Sequence, residues 1–246
     1  MAVTAFSRLV KAFILAAGLG TRLRALGLDV PKVMVPIGGK PLLQHHFELF
    51  CRQGIREFIV NLHYLPEKIT DYFGDGSRFG VRITYSHETV LLGTAGAAKK
   101  MERELRDEPF VLFYGDNLVR LELAPLLQLH RDRAALATIA LWESPEPWTG
   151  GVVETETDGR VRRFLEKPDR KEVSTNLINA GIYILEPAVL DEIPAAQFYD
   201  FGRDLFPKLL AQRKPLYAMK PDAYIQDVGT PERLAKAQRD YEGWPR

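Results

Sequence analysis

The stretch Phe13-Ile14-Leu15-Ala16-Ala17-Gly18-Leu19-Gly20-Thr21-Arg22-Leu23-Arg24 decides how the rest of the chain reads. Its apolar opening is a buried first strand. The small residues that follow let the backbone turn sharply and bring its N–H groups close to a ligand. Pro31-Lys32 and Gly39-Lys40-Pro41 come soon after. A strand feeding a glycine turn, with Arg22 and Lys32 close behind, suits a phosphorylated guest, and a helix starting there would add a favourable field for phosphate. The run is neither standard phosphate fingerprint. Leu23 stands where the third glycine of G-x-G-x-x-G belongs, and the G-K-[ST] ending of a P-loop is missing. A plain strand-to-helix turn with surface arginines stays open at this point.

Working outward, strand-like apolar runs at 12–17, 58–62, 110–114 and 136–141 alternate with helically spaced stretches. Leu42, Leu43, Phe47 and Phe50 recur at three- and four-residue steps after Pro41, a second helix around 66–73 stops at Gly74-Asp75-Gly76, and a third runs from a Thr94 cap to about Leu105. Leu121–Arg131 reads as a fourth. This alternation means βαβ units, so the expected class is α/β, a Rossmann-like three-layer sandwich around a mainly parallel mixed sheet. The pattern changes after residue 142. Val152–Thr155 and Val161–Leu165 flank the hairpin turn Asp158-Gly159, followed by a strand at 178–185, a helix around 203–212, the short strand Tyr224-Ile225 and a last helix from Pro231, capped by Thr230. The expectation is one domain over 1–246, with a nucleotide-binding portion at about 11–142 and an interleaved α+β portion at about 143–241.

Composition narrows the class. Hydrophobic residues make up 46% and charged residues 26%, with a formal charge of +1 and no Lys/Arg stripe, which argues against a nucleic-acid partner. No apolar run is long enough to span a membrane, and Arg8 and Lys11 interrupt any signal-like start. The single cysteine, Cys51, lies among apolar residues and forbids an internal disulfide, as expected of a buried small hydrophobe in a reducing cytoplasm. No H-E-x-x-H or G-x-S-x-G motif occurs, so transfer by positioning and electrostatics is favoured over a covalent intermediate.

Individual residues sharpen this. Lys32 is held between Pro31 and an apolar run, as suits a phosphate contact, whereas Lys40 reads equally as a helix start. Asp116 ends an apolar strand through Gly115, where an open α/β sheet places its ligands, and a carboxylate there can hold magnesium bridging phosphates. Asp227, after Tyr224-Ile225 and before a helix, has the same setting. Glu166 and Lys167 can divide a sugar phosphate between hydroxyl and phosphate contacts, or form a surface pair before a turn. Asn179 sits where an amide can reach a hydroxylated ligand. Gly93-Thr94-Ala95-Gly96-Ala97 suits the flat edge of a base, or a packing helix.

Taken together, Leu15–Leu23, Pro31-Lys32, Gly39-Lys40-Pro41, Gly93–Ala97, Gly115-Asp116-Asn117, Glu166-Lys167-Pro168, Asn179–Tyr183 and Asp227–Pro231 resemble the signature of the sugar-1-phosphate nucleotidyltransferases. The resemblance implies magnesium-dependent transfer of a nucleoside monophosphate from an NTP to a sugar 1-phosphate. It implies that Ala16, Ala17, Gly18, Gly20, Thr21, Arg22, Gly93 and Thr94 hold the nucleotide, with Arg22 on the leaving pyrophosphate and Lys32 along the phosphates. Asp116 and Asp227 would hold the metal, Lys167 the sugar phosphate, and Gly151, Glu166 and Asn179 would line the sugar site. The Gly-Thr-Ala-Gly form, without the glutamine that thymidylyltransferases use nearby, is most similar to guanylyltransferases acting on mannose or heptose 1-phosphate. Glucose-1-phosphate thymidylyl- or uridylyltransferase is the alternative, and an inactive nucleotide-sugar-binding regulator is the rival of another class. Gly150 departs from the aromatic residue common at that place. No acyltransferase β-helix of the bifunctional relatives is expected, and monomer and homo-oligomer both stay open.

Overall fold

The computed structural model describes residues 11–18, 20 and 29–244. In chain order its strands are β1 (Lys11–Leu15), β2 (Pro36–Ile37), β3 (Lys40–Pro41), β4 (Glu57–Leu62), β5 (Arg82–His87), β6 (Phe110–Tyr114), β7 (Asn117–Leu121), β8 (Ala137–Glu143), β9 (Gly151–Thr155), β10 (Val161–Glu166), β11 (Leu177–Leu185), β12 (Leu216–Met219) and β13 (Ala223–Asp227). The α-helices are α1 (Leu42–Cys51), α2 (Pro66–Phe73), α3 (Gly93–Lys100), α4 (Glu102–Leu105), α5 (Ala124–Asp132), α6 (Phe206–Ala211) and α7 (Pro231–Glu242).

Successive side chains of a strand point to opposite faces, and the three central strands obey this closely. Ile14, Phe58, Val60, Val111 and Phe113 enter one apolar layer, while Phe13, Ile59 and Leu112 enter the other. Helices α1, α2 and α5 cover the first face through Phe47, Phe50, Ile69, Phe73 and Leu126. The second is covered by α3, α4 and α6 through Ala95, Ala98, Leu105, Phe206 and Leu209. The result is the three-layer α/β sandwich with a Rossmann-like half.

The main sheet has the order β10-β9-β11-β6-β1-β4-β5, with β8 beside β11 and β12 beside β8. Strands β6, β1, β4 and β5 run parallel. Strand β11 runs antiparallel to β6, β8 and β9, and the β9–β10 hairpin forms at Asp158-Gly159. The sheet is therefore mixed, its parallel half drawn from the first portion of the chain.

Two local expectations change. The helix expected over Leu121–Arg131 begins only at Ala124, because Leu121 ends strand β7, Asn117–Leu121. The partner of β7 is β13, about a hundred residues later, in the register Asn117↔Asp227. Thr94 does not cap α3: it lies inside the helix, and its hydroxyl donates to Asp200 Oδ2 at 2.8 Å and accepts from Phe201 N–H at 2.9 Å. The helix stops at Lys100, and Met101 separates it from α4. Thr230 does cap α7, accepting from Arg233 N–H at 3.3 Å.

Candidate active site

Two clefts meet beyond the carboxyl end of β6: the first opens over the parallel strands, where open α/β sheets gather ligands, and the second beside the antiparallel strands β8 to β11. The first, of about 280 Å³, is bounded by Ala16, Ala17 and Gly18 after β1, by Lys32, and by Gly93 and Thr94 at the start of α3. Asn61 and Glu88 form its inner end, 3% and 5% exposed. Asn61 Oδ1 accepts from Ala16 N–H at 2.6 Å, and its amide donates to Glu88 Oε1 at 2.8 Å. Glu88 Oε2 accepts from Leu92 N–H at 3.0 Å. One buried carboxylate thus ties the glycine loop, the end of β4 and the loop into α3 together. Sequence reasoning did not single out either residue; a polar group closing an apolar parallel strand was the available signal.

The second cleft, of about 700 Å³, holds Gly151, Glu166, Lys167, Asn179 and Asp227, together with Asn117, Ser144, Glu146 and Arg233. Glu166 is tightly cradled: a Cβ at Gly151 or Gly202 would come within 2.9 or 2.7 Å of its Oε2. Burial, reinforced by the charge of Asp200, pushes its carboxyl above the usual range. Lys167 carries a φ of +48°, in the left-handed region, and its N–H donates to Gly150 O at 3.0 Å. The lysine is exposed and kept in a backbone conformation that is costly for a residue with a Cβ. Asn179 spends its amide on the fold as well as facing the cleft, donating to Tyr183 Oη at 2.6 Å and accepting from Gly181 N–H at 2.9 Å.

Tyr114, Asp116 and Asp200 line both clefts, so the two meet there. Lys32 Nζ lies 3.0 Å from Asp116 Oδ2, and Arg233 Nη1 lies 3.2 Å from Asp227 Oδ1. A Cβ at Gly229 would touch both Asp227 Oδ1, at 3.0 Å, and Lys32 Nζ, at 3.2 Å, so these groups crowd one corner. The β7–β13 register builds that corner, and Val228 N–H donates to Asp116 O at 3.1 Å. From α1, His46 supports it with a bond of 2.8 Å between Nε2 and Asn117 O. The carbonyl can only accept, so Nε2 carries the proton; burial holds the ring neutral, its pKa lowered to about 3. Beneath the junction, Tyr183 donates to Tyr114 at 3.3 Å. Burial pushes both phenols upward, so they stay protonated.

Among the described residues no three His, Cys, Asp or Glu side chains gather as metal ligands. The pair Asp116 and Asp227 fits a hard divalent cation that takes its remaining oxygens from phosphate and water. Gly20 lies against the Lys32 stem, with its would-be Cβ 3.5 Å from Lys32 Cγ, and does not line the cleft. Lys40 pairs with Glu48 at 2.7 Å, away from both clefts. Thr21, Arg22 and Arg24 lie outside the described residues.

Residues 11–243 match the nucleotidyl transferase family. The chain is 42% identical over 233 residues to UTP–glucose-1-phosphate uridylyltransferase of Synechocystis sp., covering 89% of this chain and 60% of that protein. Mannose-1-phosphate guanylyltransferase of Mycobacterium tuberculosis is 38% identical over 232 residues, covering 94% and 64%. The chain thus spans about three fifths of the length of these curated relatives. The crystal structure of HddC from Yersinia pseudotuberculosis complexed with GMP-PN superposes with a TM-score of 0.79 at 29% identity, covering 94% of this chain and 99% of that one.

Proposed function

Because the chain belongs to the nucleotidyl transferase family, we propose that it transfers a nucleoside monophosphate from an NTP to a sugar 1-phosphate, releasing pyrophosphate. The observation that carries this reading is the meeting of two clefts at Asp116, with Lys32 and Asp227 at the same corner. A transfer between two bound phosphates needs such a junction: one guest in each cleft, and compensating charge where they touch.

In this reading the nucleotide lies in the first cleft, its phosphates running toward Lys32. The sugar phosphate lies in the second, with Lys167 on its phosphate and Glu166 accepting from sugar hydroxyls. The sugar-phosphate oxygen is already ionised at neutral pH and attacks the α-phosphorus in line. No general base is required, in keeping with His46 being buried and neutral. The chain's own residues contribute alignment and stabilisation of developing charge. Asp116 and Asp227 would hold magnesium, which supplies charge neutralisation on the phosphates.

We favour GTP with a mannose- or heptose-like 1-phosphate. As a carboxylate Glu88 offers acceptors only, and each oxygen keeps a lone pair beyond the bonds to Asn61 and Leu92. That suits the paired N–H donors on the edge of guanine better than the uracil edge, where one donor stands between two acceptors. The GMP-PN complex of HddC supports the same choice, while the uridylyltransferase relative favours UTP.

Pyrophosphate release measured with magnesium should require both an NTP and a sugar 1-phosphate; equal release without the sugar phosphate overturns the reaction class. Comparison of kcat/KM for GTP, UTP, dTTP, CTP and ATP tests the base. A higher value for UTP or dTTP than for GTP overturns the purine assignment and leaves the reaction class standing.

A further inference from the structure

Only three large hydrophobic side chains stand exposed among the described residues, and one of them, Phe198, 58% exposed, lines the first cleft. Scattered exposed apolar residues are ordinary on any protein. The mounting of Phe198 is not. It sits on a strap from the second half of the chain, drawn tightly across the start of α3. Tyr199 N–H donates to Leu92 O at 2.9 Å, and Tyr199 O accepts from Ala95 N–H at 2.9 Å and Gly96 N–H at 3.0 Å. The approach is so close that a Cβ at Gly93 would lie 2.5 Å from Tyr199 O, and one at Gly96 2.6 Å from Gln197 O. Asp200 closes the next link by accepting from Thr94. Tyr199, next to Phe198, is therefore fixed to the start of α3, the Gln197 carbonyl packs against Gly96, and the phenyl ring is left on the cleft.

We propose that Phe198 is a stacking platform for the nucleobase, rigidly presented by this strap. The proposal rests on the reading that the first cleft takes the nucleotide. Lys32, beside Asp116, is the one cation among the described residues that line this cleft, and it draws the phosphates to that end. The base then falls toward Glu88 and Asn61, on the side bordered by Leu91 and Phe198. An aromatic ring fixed before the guest arrives covers apolar surface without ordering a loop. Stacking contacts the face of a base and not its edge, so Phe198 contributes affinity shared by all bases, whereas Glu88 discriminates among them.

The test uses the full chain and two probes, GTP and inorganic tripolyphosphate, titrated by calorimetry with magnesium. Phe198→Ala should weaken GTP binding about tenfold, the scale of losing one base–aromatic stack, and weaken ATP binding to a similar degree. Tripolyphosphate, which has no base, should bind the variant as it binds the parent. Phe198→Trp should restore GTP affinity and report it as saturable quenching of indole fluorescence at position 198. Equal GTP affinity in parent and Phe198→Ala overturns the proposal, as does an equal loss for GTP and tripolyphosphate, which marks a structural role. A change of oligomeric state with nucleotide binding intact also overturns it and makes Phe198 a contact between copies. If the parent binds no NTP at all, the nucleotide reading of the cleft fails instead.

Discussion

Lys32, Asp116 and Asp227 crowd the corner where the two clefts meet, so in the proposed reaction single-atom changes there should be felt in turnover. Asp116→Asn and Asp227→Asn each replace a carboxylate oxygen by an amide of nearly the same shape. Each should lower kcat by about 10²-fold or more while the thermal midpoint stays near the parent value. Wild-type turnover in both variants across limiting magnesium would remove the metal assignment. Lys167 allows a cleaner separation of charge from backbone. Its φ of +48° costs a non-glycine residue about 1 kcal/mol. Lys167→Gly should therefore match or exceed the parent in urea stability yet raise KM for the sugar phosphate, and Lys167→Ala should show the same KM defect without the gain. A KM for sugar phosphate unchanged in both variants would show that the lysine meets no phosphate.

At the scale of elements, the strap over α3 joins the two portions of the chain through backbone contacts that leave no room for a methyl group. Gly96→Ala would place its Cβ 2.6 Å from Gln197 O, and neither partner is the free end of a side chain. Relief requires the strap to move away from the helix. We expect a loss of about 1–3 kcal/mol in chemical denaturation, together with weaker nucleotide binding as the wall of the first cleft shifts. An alanine variant with parental stability and affinity would mean that the strap yields at no cost. By its sequence, Gly93-Thr94-Ala95-Gly96-Ala97 suits either the flat edge of a base or a packing helix. Gly93 does border the cleft, but the closest neighbour of each glycine is the strap. That neighbour is a hundred residues away in the chain, and nothing local to the motif could reveal it.

For the molecule as a whole, pH should act on stability through the buried histidines. His46 has a folded pKa near 3 against an ordinary 6.5, because burial disfavours its charged form. Between these values the unfolded chain binds a proton that the folded chain refuses. The contribution of His46 is thus complete above pH 6.5 and is lost as pH falls, at about 1.4 kcal/mol per unit. The loss reaches about 2 kcal/mol by pH 5 on the same scale. Burial lowers the pKa values of His45 and His130 as well, so they act in the same direction. Urea midpoints at pH 8, 6.5 and 5 should be flat over the first interval and drop over the second; an unchanged midpoint at pH 5 would contradict a neutral buried His46.

Much of this architecture was legible in the chain because it depends on short-range periodicity. The apolar runs of β1, β4 and β6, the helix after Pro41, the stop at Gly74 and the Asp158-Gly159 hairpin are local signals, and each formed nearly where its residues implied. Asp116 and Asp227 could be suspected because each closes a strand. That they share a corner was decided by the pairing of β7 with β13, in which Asn117 lies opposite Asp227. The same holds for Asn61, Glu88 and Phe198, which carry no motif and gain their places only when separate strand ends and the strap are brought together. Periodicity is a property of neighbours along the chain, so sequence alone determined the elements and their layers. A site is a property of neighbours in space, and only tertiary pairing across a hundred residues decided which side chains face one another.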